Sequence, residues 1–199
     1  MMNNEKEYRS LNITSKEENN ELILEGYAVV WDSPTVIGQE ERGKGFYEVI
    51  AKGAIGAEAL KDVPLKYNHD NGTLILARTR NSSLELKTDD KGLFIRAKLL
   101  PEVQTHRYVY NMVKNGLLDK MSFAFTIKDY VIDRSGNLPK KTITKVDRLY
   151  DVSVVDIPAY NDTEIHARRL EKVEQEIKTI ENSEVELEKL KAKIRLSLI

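Results

Sequence analysis

No cysteine occurs in the 199 residues, which removes disulfides, thiolate zinc sites, iron–sulfur clusters and any thiol nucleophile at once. Histidine is nearly as scarce. Three copies, none in an HExxH pair, cannot build a His-rich metal centre, so a mixed His–carboxylate site is the most that composition leaves open. Glycine and proline number ten and five, too few for long low-complexity stretches. An excess of one charge is also missing: 31 Lys+Arg against 32 Asp+Glu leave a net charge of −1. No global basic field exists to hold a polyanion, so nucleic-acid binding is not expected as the main function. No apolar run approaches membrane-spanning length, and the opening MMNNEKEYRS is polar rather than signal-like. The expectation is a chain of the cytosol, or of something assembled there, with no membrane contact.

What is present divides in two near residue 162. Residues 1–162 carry short β-type runs separated by turn signals. Residues 163–199 read as a charged helical tail, with no Gly, Pro or aromatic residue from Glu164 onward and eight charges of each sign. In the first part the β-type runs are Leu22–Trp31, Phe46–Ile50, Val63–His69, Thr73–Thr79, Ser82–Thr88, Leu93–Leu100, Lys120–Asp133, Lys141–Asp147 and Leu149–Ile157. Small helices are expected around Ala54–Lys61 and over Thr105–Asn115, the latter closed by Gly116 at C′. About eight strands and two helices predict a mainly β or α+β domain, mostly antiparallel and barrel-like. In the tail, Leu170, Val173, Ile177 and Ile180, then Leu187, Leu190, Ile194 and Leu198, form an interrupted apolar seam. Ser183 and Glu186 fit a capping box at the break, which predicts two helices or one kinked helix.

The run Met121–Lys128 has two unlike faces. Met121, Phe123, Phe125 and Ile127 form a bulky apolar side; Ser122, Ala124 and Thr126 form a small, mildly polar one. Such a strand can floor a groove for a substrate backbone and hold a nucleophilic Ser122 rigidly, although the same pattern describes an ordinary solvent-facing serine. A serine hydroxyl needs a base near neutrality, and His69, ending a strand at the Asp70-Asn71-Gly72 turn, could lean over a neighbouring strand to supply it. His106 and His166 read as surface residues. An acid to orient the imidazole is available in Tyr150–Ile157, as Asp151 on one face or Asp156 on the other. A carboxylate in so Val-rich a strand needs a partner to be buried. Asp70 is adjacent to His69, but neighbouring strand side chains point apart.

Five blocks then stand out in order: Leu24-Glu25-Gly26-Tyr27-Ala28-Val29-Val30; Phe46-Tyr47-Glu48-Val49-Ile50 with Gly53-Ala54; Asn68-His69-Asp70; Lys120-Met121-Ser122-Phe123-Ala124-Phe125; and Asp151-Val152-Ser153-Val154-Val155 with Pro158-Ala159-Tyr160. Together they resemble the prohead maturation proteases of tailed bacteriophages, over roughly residues 20–165. The resemblance implies a fold similar to herpesvirus assemblin, an antiparallel β-barrel serine protease with a few short helices. It implies a serine endopeptidase with Ser122 as nucleophile, His69 as base and Asp151 as the third member, Asp156 being the alternative. It needs no metal or organic cofactor. Its implied substrates are scaffold segments and extensions of the major capsid protein, with self-cleavage, inside a prohead assembling in the host cytoplasm. Loop Pro158–Thr163 is the expected place of the oxyanion donors, and the tail that of self-association or scaffold recruitment. The rival reading is a non-catalytic scaffold or assembly chaperone that keeps the protease fold and works through its tail.

Overall fold

The computed structural model describes residues 13–18, 21–39, 44–70, 72, 75–156, 179, 182–183 and 185–191. Among the described residues ten strands pair into two sheets around one hydrophobic core. The first sheet is antiparallel, in the order β1 (Ile13–Glu18), β2 (Glu21–Val30), β8 (Gly92–Leu99), β7 (Leu84–Thr88). The second follows the path β3 (Thr35–Gln39), β4 (Lys44–Ile50), β10 (Lys140–Val155), β5 (Pro64–Tyr67), β6 (Ile75–Arg78), with β9 (Lys120–Asp133) also paired to β10.

β10 is the spine of the second sheet. Along one edge it pairs antiparallel with β9; along the other it takes β4 at residues 140–143 and β5 at residues 152–154, both parallel. The domain is mostly antiparallel, as expected, but this sheet is mixed because β10 takes β4 and β5 in parallel. Parallel pairing needs long crossovers that local sequence patterns do not announce. Among the described residues no ladder joins the two sheets, so they face each other without closing into the expected barrel. Leu24, Leu93, Ile95 and Ala97 from the first sheet meet Leu65, Leu76, Leu149, Val152 and Val154 from the second. At that contact apolar burial stabilises by about 25 cal/mol per Å² removed from water.

Two strands escaped the sequence reading for different reasons. β1 (ITSKEE) buries only Ile13 and is otherwise a charged edge, tied down by Lys16 to Glu18 and Glu25 and by Arg96 to Glu18. Such edges resist unwanted pairing and carry no apolar alternation. β3 is a short strand placed by its register with β4. The final two predicted runs are one strand. Residues Thr144, Asp147 and Tyr150 are left out of the pairing with β9, so buried Ile143, Val146 and Leu149 recur every third residue and conceal the period of two.

The helix around Ala54–Lys61 is a 3-10 turn, Ala57–Leu60, which leaves α1 (Gln104–Lys114) as the one core α-helix among the described residues. Its apolar face, Val109, Tyr110 and Val113, packs on the core together with His106. His106 is a correction: it is buried, with Nδ1 accepting from Leu100 N–H at 3.1 Å and Nε2 donating to the Ile75 carbonyl at 3.1 Å. Gly116, at φ +70°, ends the helix as expected: its N–H bonds to Val113 O at 3.0 Å while Leu117 N–H reaches Met112 O at 2.8 Å. Leu118 is then buried and aims the chain into β9. In the tail, residues 182 and 183 are already helical, and the Ser183 hydroxyl donates to Thr179 O at 2.9 Å. Ser183 therefore bonds back one turn instead of capping a new helix, because a helical hydroxyl finds the i−4 carbonyl nearer than any free N–H. His166 and the seam residues from Leu170 to Ile180 lie outside the described residues, as do Ile194 and Leu198.

Candidate active site

Register across β9, β10 and β5 sets the site. Ser153 on β10 is the partner of Ser122 on β9 and of Lys66 on β5, so these three share one level of the sheet. The next level holds Ala124 opposite Asp151. Leaving Tyr150 unpaired shifts the register between Leu149 and Asp151. Leu149, opposite Phe125, stands with the core, and Asp151 stands with Ser122. Had Tyr150 been paired in plain alternation, Leu149 and Asp151, two residues apart, would stand on the same face.

His69 arrives from the end of β5. Val63, Leu65 and Tyr67 alternate onto the core side, and a continued strand would carry His69 there as well. The chain instead takes left-handed backbone at Asn68 (φ +51°) and His69 (φ +55°). Each such residue without glycine costs roughly 1 kcal/mol or more, and Asn is the residue that tolerates it best. The turn is held at several points. Asn68 N–H bonds to Val154 O at 2.9 Å, Asp156 N–H to Asn68 Oδ1 at 3.1 Å, Asp70 N–H to Tyr67 O at 3.0 Å, and Gly72 N–H to Asp70 Oδ1 at 2.9 Å.

The outcome is a continuous line of contacts. His69 Nδ1 lies 2.6 Å from Asp151 Oδ1 and His69 Nε2 lies 2.9 Å from Ser122 Oγ. Ionised Asp151 can only accept, so the ring proton sits on Nδ1, leaving Nε2 bare to accept from the serine hydroxyl. Ser122 and Asp151 are each 4% exposed, while the imidazole keeps about a quarter of its surface in solvent (26%). Behind Ser122, Phe123 and Phe125 stack at 4.9 Å and pack against the core, so the strand is fixed from its apolar side as its two-faced pattern implied.

Burial by itself would push the Asp151 carboxyl up. The hydrogen bond and charge of His69, the Ser153 hydroxyl and the Lys66 ammonium outweigh it and hold the group below the ordinary aspartate range. Oδ1 accepts from Ser153 Oγ at 2.8 Å, and Oδ2 lies 3.7 Å from Lys66 Nζ. Sequence reasoning gave Ser153 no task, and Lys66 was invisible to it because the parallel β5–β10 pairing brings it there. Asp156 is exposed, and the contact that places it is its backbone N–H to the Asn68 side chain; the structure does not bring its carboxylate to the imidazole. The loop expected to hold oxyanion donors, residues 158–163, lies outside the described residues.

A hydroxyl, a correctly protonated imidazole and a desolvated carboxylate in hydrogen-bonded sequence can generate an alkoxide-like nucleophile at neutral pH. Neither the curated proteins nor the solved structures searched contain a match. The model of one protein family does match, over residues 9–176, a span that includes every strand described above and every residue of the site. On that match, this chain belongs to the caudovirus prohead serine protease family.

Proposed function

We propose that the chain is the endopeptidase of phage prohead maturation and that Ser122, His69 and Asp151 are its catalytic triad. The observation that carries this reading is the unbroken geometry from Ser122 Oγ through His69 to Asp151, at 2.9 and 2.6 Å. In the proposed reaction Ser122 Oγ attacks the scissile carbonyl carbon as its proton passes to His69 Nε2. Asp151 stabilises the resulting imidazolium, which returns the proton to the leaving amine. Water, activated by the same imidazole, then hydrolyses the acyl ester and regenerates Ser122. The substrates are scaffold segments and extensions of the major capsid protein, together with this chain itself, and cleavage takes place inside the immature head. The chain's own groups carry every proton transfer, so the reading calls for no metal or organic cofactor. Among the described residues no helix is long and apolar enough to cross a membrane.

The test is co-expression with the cognate capsid and scaffold proteins, followed by mass spectrometry of all new termini. Wild type is expected to trim itself or a partner, and Ser122→Ala to leave every chain intact. Trimming that persists in Ser122→Ala would overturn the assignment of the nucleophile. A wild type that never cleaves in assembling heads would replace the enzyme with an assembly chaperone.

A further inference from the structure

The most enclosed polar side chain beside the triad is one the proposed reaction does not use. Ser153 has no exposed surface (0%), so it cannot touch a substrate. A hydroxyl so placed must find partners within the protein. It donates to Asp151 Oδ1 at 2.8 Å and accepts the backbone N–H of His69 at 3.3 Å. It also lies 3.3 Å from His69 Nδ1, but the proton of that nitrogen is on the shorter 2.6 Å line to Asp151. One oxygen atom thus grips the carboxylate and also the backbone of the residue that the carboxylate orients. That backbone is left-handed at φ +55°, a conformation that a non-glycine residue leaves unless it is tied down.

We propose that Ser153 is the positioning residue of the site, fixing with a single hydroxyl both the rotation of the Asp151 carboxylate and the turn that presents His69. This rests on the triad reading of the preceding subsection. Removing the hydroxyl leaves the His69 N–H without its acceptor and frees Asp151 Oδ1 to rotate away from Nδ1. The imidazole then spends less time with Nε2 on the Ser122 hydroxyl. Substrate binding, which Ser153 never contacts, is unaffected, so the loss falls on the rate of nucleophilic attack.

The experiment uses the full chain and a small fluorophosphonate, which needs no knowledge of the cleavage sequence. In labelling, the Ser122 Oγ–P bond forms, the P–F bond breaks, fluoride leaves, and the serine proton passes to His69 and on to solvent. Saturation kinetics separate the limiting labelling rate from the half-saturating concentration. Ser153→Ala is expected to lower the limiting rate about 10- to 100-fold, the worth of a hydrogen bond to a charged group, with the half-saturating concentration unchanged. Ser153→Thr keeps the hydroxyl and is expected to recover most of the rate. A low-field proton resonance from His69 Nδ1–H is expected in wild type and Ser153→Thr, and lost to exchange in Ser153→Ala. Thermal unfolding checks that each variant folds. If Thr overpacks the site, Ser153→Cys, with a weaker donor of similar size, is expected to fall between Ser and Ala.

A folded Ser153→Ala that labels at the wild-type rate or keeps the resonance would overturn the proposal. So would a loss confined to the half-saturating concentration, or a folded Thr or Cys variant no faster than Ala. Folded wild type that does not label at Ser122 overturns the peptidase reading itself, so the two failures are read on different proteins.

Discussion

The β9–β10 hairpin is one ladder with two unlike ends. At the end holding Ser122, residues 151 to 155 of β10 are all buried, on both faces of the strand. At the far end, near the turn, exposed Val131, Asp133 and Lys140 alternate with covered neighbours, among them Lys141, whose ammonium lies 4.2 Å over the Tyr130 ring. The difference comes from what lies on the two sides. The site end is sandwiched between the core and the His69 turn, with β5 along its edge, whereas the far end has β4 along its edge and solvent on one face. A strand buried on both faces excludes water from any polar group it carries. Such a group must then be bonded to the protein, and bonded groups do not move. Rigid placement of Ser122 and Asp151 is therefore a consequence of where the hairpin is covered, and the exposed end can vary without disturbing them.

The largest way to break that contrast is to remove the reacting groups at the covered end. Ser122→Ala and His69→Ala are each expected to reduce cleavage or fluorophosphonate labelling by about four orders of magnitude or more, with the double variant little worse than either, because the two act as one unit. Unfolding curves should stay close to wild type. Losses that multiply in the double variant would argue against a shared proton transfer. Next comes the acid. Asp151→Asn is expected to lower the rate by about three orders of magnitude, since the amide cannot stabilise the imidazolium and can present the wrong partner to Nδ1. Asp156→Asn, whose carboxylate is exposed and away from the ring, should change the rate little. Equal losses from the two would mean that the turn at Asn68, not the Asp151 carboxylate, orients the histidine.

Stability sharpens the comparison further. Leu149→Ala, at a fully buried core position just before the shift that turns Asp151 to the site, is expected to cost about 2–5 kcal/mol in denaturant unfolding. Val131→Ala, more than half exposed at the far end, should stay within about 0.5 kcal/mol. Smallest is a pH effect. Asp151 has its folded value below the ordinary 3.8, so its ionised form favours the folded state. That contribution is fully present above the ordinary value and fades as pH falls through the lower folded one. The stability difference between wild type and Asp151→Asn should then be flat from neutral pH to about 5 and shrink only below about 4. A difference that stays constant as the pH falls well below 4 would overturn this reading.

The comparison also shows why some of the molecule could be read from its residues and some could not. β9 was legible to the residue, Lys120–Asp133, because Met121, Phe123, Phe125 and Ile127 alternate without interruption. β10 read as two runs because its unpaired residues break the alternation, and β1 was missed because its stability lies in charged cross-strand contacts. His106 was misplaced on the surface, since nothing in a helix sequence announces that a backbone N–H and a carbonyl from other elements will meet both ring nitrogens.

Sequence alone determined the chemistry available: no thiol, few imidazoles, a serine on a strand with one small face, and two candidate acids in a Val-rich run. Those follow from side-chain identity and a strand's period of two, both local properties. Tertiary structure decided which of these groups meet. The unpaired Tyr150 turned Asp151 to the face of Ser122, two left-handed residues swung His69 off the core face that alternation gave it, and parallel pairing with β5 set Lys66 beside the carboxylate. None of these is set by neighbours in the chain: the contacts that decide them join β9 to β10 across a hairpin, and β5 and the His69 turn to β10 across some eighty positions, which no local pattern contains.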